Sequence, residues 1–124
     1  VGSEMCIRDR LSAWQNIELK RRLTDFTPQS RVEEWLRQLG IADRRDFPVG
    51  KMSIGQQQRV GIIRSLCQPF DFIFLDEPVS HLDADNNRLA ARMILDEAAR
   101  QGAAVVATSV GNHLAIPDPI ILEL

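Results

Sequence analysis

Asp76 and Glu77 are adjacent carboxylates at the end of an apolar run, Phe72-Ile73-Phe74-Leu75. Upstream, Met52-Ser53-Ile54-Gly55-Gln56-Gln57-Gln58-Arg59 is a polar, glycine-containing loop that opens a helix. Downstream, Ser80-His81-Leu82-Asp83 is a small polar loop with another Asp. This order suits gripping a polyphosphate, holding a magnesium ion and aiming a water at the terminal phosphate. A carboxylate where a strand ends lies at the crevice in which α/β sheets bind ligands. Magnesium is held there commonly through water, because it keeps much of its hydration shell. A second carboxylate facing elsewhere is free for the water, and positioning with electrostatics supplies most of phosphoryl-transfer catalysis. Ser53 and the Gly55 amide precede a helix, whose N-terminus offers free donors and a positive dipole end to an anionic phosphate. The plainer readings are two solvated carboxylates, a Ser-capped helix and Asp83 as an N-cap; the last two are compatible with the chemical ones.

These residues need a strand, a helix start and a loop held together. Leu11 to Thr24 reads as a helix with Ser12 as cap, although Leu11, Trp14 and Ile17 do not share a face with Leu19 and Leu23. Asp25, Thr27 and Pro28 mark a loop. Ser30-Arg31-Val32-Glu33 reads as a capping box, followed by the stripe Val32, Trp35, Leu36 and Leu39, with Gly40 just past the helix end. Trp14 and Trp35 read as core packing. Residues 41–51 form a connection, and a helix opening at Ser53 runs through Val60, Ile63 and Leu66. Asp71 to Leu75 suits a strand buried on both faces, as in a parallel sheet. Asp83 or Asp85 starts a long helix with Leu89, Ala90, Met93 and Ile94 inward, ended by Gly102. Ala103 to Thr108 is the next buried strand, and Ile120 to Leu124 another.

The chain has 124 residues, enough for one ordinary domain or part of a larger one. Its hydrophobic content of 44% can supply a core, and 26% charged residues suit a soluble protein. A net charge of −2 gives no nucleic-acid footprint, so no nucleic-acid partner is expected. Lys20-Arg21-Arg22 and Arg44-Arg45 read as solvated faces, with a membrane partner's loop as the less simple reading. The cysteines Cys6 and Cys67 offer neither a disulfide framework nor metal-ligand spacing. No apolar stretch approaches the ~18 residues a membrane span needs, so any membrane link runs through a partner. Glu4-Met5-Cys6-Ile7-Arg8-Asp9-Arg10 looks like a translated sequencing adapter, so residues 1–10 are set aside as a non-native leader.

Residues 52–56, 72–77 and 80–83 resemble, in order, the signature loop, the Walker B strand and the D-loop of the nucleotide-binding subunit of ABC transporters. The resemblance runs from Leu11 to Leu124. Gln56-Gln57-Gln58-Arg59 and the Leu-Asp-x-x-Asn run at 82–86 look most like the lipoprotein-release and macrolide-export branch. It implies an α/β fold: a partial ABC-type P-loop NTPase core with a mostly parallel sheet, plus a helical subdomain. Residues 11–67 would be that subdomain with its signature helix, and residues 68–124 the C-terminal half of the ATP-binding core. It also implies ATP and Mg2+ as cofactors. Asp76 would hold the metal and Glu77 would polarise the attacking water as general base. Ser53, Gly55 and Gln56 would close over ATP bound to a second ABC ATPase subunit in a head-to-tail dimer, with Asp83 linking the two sites. The partner would be a membrane permease subunit, and the place the cytoplasmic face of the inner membrane, peripherally.

Two positions depart from the family. Ile54 stands where the first signature glycine belongs, and a β-branched residue disfavours positive φ. Ser109 stands where the family places a γ-phosphate-contacting histidine; serine can donate a hydrogen bond but carries no charge. His81 and His113 read as surface residues rather than substitutes. No Gly-x-x-x-x-Gly-Lys-Ser/Thr occurs, so the chain itself is expected to be inactive. A degenerate regulatory subunit and a soluble ABC ATPase of DNA repair or translation are the alternatives.

Overall fold

The computed structural model of the chain describes residues 10–108. The element order is α1 (Ala13–Thr24), α2 (Gln29–Gln38), short 3-10 turns at Ala42–Arg44 and Val49–Lys51, α3 (Ile54–Leu66), β1 (Phe72–Asp76), α4 (Ala84–Gln101) and β2 (Ala104–Thr108). The leader residues 1–9 and the expected strand Ile120 to Leu124 lie outside the described residues, as does His113.

α1 starts where Ser12 caps it: the Ser12 hydroxyl accepts from the Gln15 amide at 3.1 Å, and the Gln15 side chain accepts from the Ser12 amide at 2.9 Å. Two more free first-turn amides are satisfied from outside the helix, Ala13 by the Phe47 carbonyl and Trp14 by the Arg45 carbonyl. The Arg45 guanidinium lies 3.9 Å from the centroid of the Trp14 ring, which lays the 45–49 loop across this helix start. Ile17 is inward, whereas Leu19 and Leu23 are exposed, so the two apolar sets do face apart.

Three expectations fail in the helices. Ser30 is not the cap of α2: the helix begins at Gln29 behind Pro28, whose φ of −69° already suits a helix start, and no side chain caps it. Arg21 is not on a solvated face but buried, with its guanidinium bidentate on the equally buried Glu18 at 2.6 and 2.9 Å. It also donates to Asp25 and to the Thr27 carbonyl, so its donors are largely matched. In α4, Leu89 is exposed, while Ala90, Met93 and Ile94 are buried. Of the two proposed starts, Asp83 is the cap, accepting from the Asn86 amide at 2.8 Å. Gly40 and Gly102 follow α2 and α4 with φ of 71° and 66°, the left-handed turn glycine makes without steric cost.

β1 and β2 pair in parallel, Phe72 with Ala104 through Asp76 with Thr108. Parallel neighbours need a crossover, and α4 supplies it. The Gln101 side chain fastens the near end, accepting from the Phe70 amide at 2.8 Å and donating to the Gln68 carbonyl at 3.2 Å. The strands are not buried on both faces. Ile73 and Leu75 are inward, but Phe72 is 63% and Phe74 39% exposed, and β2 is mostly exposed. The outer face has no cover among the described residues. One apolar cluster runs from Ile17 of α1, through Trp35 and Leu36 of α2 and Ile62 and Ile63 of α3, to Leu75 and Ile94. The tip of β1 and the start of α3 are therefore anchored in the same packing.

Candidate active site

Asp76 is the last residue of β1, directly opposite Thr108. The Thr108 hydroxyl donates to Asp76 Oδ1 at 2.6 Å. The Thr108 hydroxyl oxygen in turn accepts from the Glu77 amide at 3.1 Å, and so does the Thr108 carbonyl, also at 3.1 Å. One threonine thus fixes the Asp76 carboxylate and the backbone of Glu77 together. Glu77 has φ of 46°, a left-handed conformation uncommon for a residue with a Cβ. That costs on the order of 1 kcal/mol and takes Glu77 out of the alternation of the strand. Both carboxylates are exposed to solvent.

Ser53 caps α3 in a second capping box. Its hydroxyl accepts from the Gln56 amide at 3.1 Å, and Gln56 Oε1 accepts from the Ser53 amide at 3.0 Å. Gln56 therefore supports the turn. Among the described residues nothing accepts from the Ile54 and Gly55 amides, which leaves two donors and the positive helix end facing outward. Ile54 is the first residue of α3 with ordinary helical backbone, and its side chain is 58% exposed. The missing glycine at 54 therefore introduces no backbone strain. Gly55 is required by a close approach: a Cβ there would stand 2.9 Å from the His81 carbonyl oxygen.

Gln58, which sequence reasoning did not single out, ties the two halves of the site. It donates to Ser80 Oγ at 2.7 Å and to the Glu77 carbonyl at 3.3 Å, and accepts from the His81 amide at 2.9 Å. Beside it, Arg59 donates to the Leu39 carbonyl at 2.9 Å and the Gly55 carbonyl at 3.3 Å, which holds the start of α3 against the end of α2. Asp83 is exposed and serves α4 through its cap. Asp76, Glu77 and Thr108 are brought together, and Ser53 joins them only through α3 and Gln58. Ser109 lies outside the described residues.

Several chemistries are disfavoured by these surroundings. Cys67 is fully buried, and burial pushes its thiol up to about 12, which keeps it from acting as a thiolate nucleophile. Among the described residues no group of three or more His, Cys, Asp or Glu could hold a metal. Mg2+ does not need such a cage; one or two carboxylates with waters and phosphates suffice. Asp76 fits that demand, since only Oδ1 is engaged by Thr108 and the residue is open to solvent. No described helix is long and apolar enough to cross a membrane.

The model of the ABC transporter family matches residues 1–80. The cytochrome c biogenesis ATP-binding export protein CcmA of Aliivibrio fischeri is 27% identical over 109 residues, covering 88% of this chain and 53% of that protein. The macrolide export ATP-binding/permease protein MacB of Bartonella henselae is 31% identical over 119 residues, covering 94% of this chain and 18% of that protein. A solved structure of a putative ABC transporter ATP-binding protein from Pyrococcus furiosus has a TM-score of 0.73 at 18% identity, covering 92% of this chain and 56% of that one. At that identity the likeness speaks for the fold. The fold is a partial P-loop NTPase core of the ABC type, with parallel strands and helices. The chain belongs to the ABC transporter family, as part of an ATP-binding domain. It spans about half the length of CcmA, 53%, and a smaller share, 18%, of MacB.

Proposed function

We propose that the protein containing these residues binds and hydrolyses ATP and couples that hydrolysis to a membrane permease subunit from the cytoplasmic face of the inner membrane. The observation that carries this reading is the joint anchoring of Asp76 and Glu77 on Thr108 at the tip of β1. Bound Mg2+ would neutralise phosphate charge as the terminal phosphoryl group leaves. Asp76 would hold the metal, with its carboxylate oriented by the Thr108 hydroxyl. Glu77 accepts the proton of the attacking water; its turn out of the strand lets the two acids serve different partners.

Ser53, Gly55 and Gln56 act on ATP held by a second ABC ATPase subunit packed head to tail. The outward amides at Ile54 and Gly55 and the α3 dipole favour the terminal phosphate there. Asp83 lies two residues past His81, the last residue bound by Gln58, and links the two sites across that dimer. In this reading Ser109 takes the role the family gives to a histidine, with a hydroxyl in place of a cation. Residues 1–124 alone, with no phosphate-binding loop in their sequence, do not hydrolyse ATP and bind it at most very weakly; micromolar ATP binding in a calorimetric titration of residues 11–124 would contradict this. ATP turnover by full-length protein carrying Glu77→Gln tests the whole reading: binding is retained and hydrolysis is lost.

A further inference from the structure

We infer that Gln58 is a positioning residue for hydrolysis, holding the loop that carries Glu77 against the helix that carries the Ser53 turn. This rests on the reading of Glu77 as the water-orienting acid. Three hydrogen bonds make the connection, to Ser80 Oγ, the Glu77 carbonyl and the His81 amide. The partners fix the orientation of the Gln58 amide. A carbonyl can only accept and a backbone amide can only donate, so the flipped side chain would face the Glu77 carbonyl with its own oxygen. Both bond types are needed at once, and glutamine supplies them with the right length.

The bonds fall on the unusual segment of the loop. Glu77 sits at φ of 46°, and its backbone is held from two sides. Thr108 accepts its amide, and Gln58 donates to its carbonyl. Relaxing one side lets the residue return toward ordinary backbone, which moves the carboxylate relative to Asp76. The Gly55–His81 contact closes the same junction, because α3 approaches the loop too closely for a Cβ. A shift of the Ser53 turn therefore reaches Glu77 through a side chain and a steric contact, not through free loop.

The test uses the full-length protein with Gln58→Leu, Ser80→Ala and the double variant, read by kcat and KM for ATP, equilibrium ATP affinity and Tm. Gln58→Leu keeps the volume and removes the bonds. The expected result is a kcat about 10- to 100-fold lower, as for a displaced reacting group, with KM, affinity and Tm unmoved. Ser80→Ala lowers kcat by about 3-fold, and the double variant is no worse than Gln58→Leu, because both act through one contact. Wild-type kcat in Gln58→Leu, with an active parent, overturns this inference alone. A fall in kcat matched by falls in affinity and Tm also overturns it, since Gln58 is then packing. If Gln58→Leu does not fold, Ser80→Ala decides, as Ser80 is exposed: lowered kcat at unchanged Tm supports the inference, and wild-type kcat overturns it. An unsubstituted protein without ATP turnover overturns the underlying reading of Glu77, and this inference with it.

Discussion

The Thr108 hydroxyl donates to Asp76 at 2.6 Å while the same oxygen receives the Glu77 amide at 3.1 Å. The two acids are thus oriented by one neighbouring-strand residue in the register Asp76 to Thr108. A carboxylate oriented by a hydrogen bond is a better-placed metal ligand than one free to rotate, and outer partners of this kind matter about tenfold or more for metal affinity.

Thr108→Val keeps the shape and removes the hydroxyl. In the full-length protein the Mg2+ concentration that half-saturates ATP hydrolysis is expected to rise about tenfold. Thr108→Ser keeps the hydroxyl and stays near the parent value. Equal Mg2+ dependence in all three proteins would show that Thr108 does not orient Asp76.

Gly55→Ala distinguishes two opposite effects. In a free helix the change favours folding by about 1 kcal/mol. Here the new methyl meets the His81 carbonyl at 2.9 Å, and backbone on both sides has to give. Overpacking of this kind costs about 1–3 kcal/mol, so denaturant midpoints should fall. A raised midpoint would mean that the signature turn and the 77–81 loop are not in contact.

Glu18 and Arg21 give a defined acid sensitivity. Hydrogen bonds from Arg21 hold the Glu18 carboxyl below its ordinary value of 4.5. A carboxyl lowered in the folded state contributes stability that is complete above the unfolded value and is lost as pH falls through the folded one. Glu18→Gln should cost about 2 kcal/mol at neutral pH, because Arg21 loses a charged partner. It should also flatten the stability profile below about pH 4.5. Urea midpoints against pH measure both; parallel profiles for parent and variant would contradict the assignment.

What the sequence revealed depended on how local each signal is. Ser53 with Gln56, Asp83 before α4, and Gly40 and Gly102 after helices are contacts within one turn, and each stands where its spacing places it. Residue patterns failed where a competing neighbour or the tertiary packing decides. Ser30 has the spacing of a cap, but Pro28 starts the helix earlier. Arg21 sits in a run of basic residues, yet Glu18, Asp25 and Thr27 surround it. Phe72 and Phe74 have the composition of a doubly buried strand, but only the opposite face, with Ile73 and Leu75, is buried. Gln58 was invisible for a similar reason: it is one of three successive glutamines, and its partners lie 19 to 23 positions away. The order of Gly55, Asp76 and Asp83 was legible, whereas the bonds joining them were not.

The most direct measurement is steady-state and single-turnover ATP hydrolysis by the full-length protein with Glu77→Gln, alongside ATP binding and light-scattering mass. The account predicts ATP affinity near the parent's, a doubling of mass with ATP, and turnover lower by about 100-fold or more, the range expected when a general base is removed. Turnover close to the parent's in a properly folded variant would contradict it.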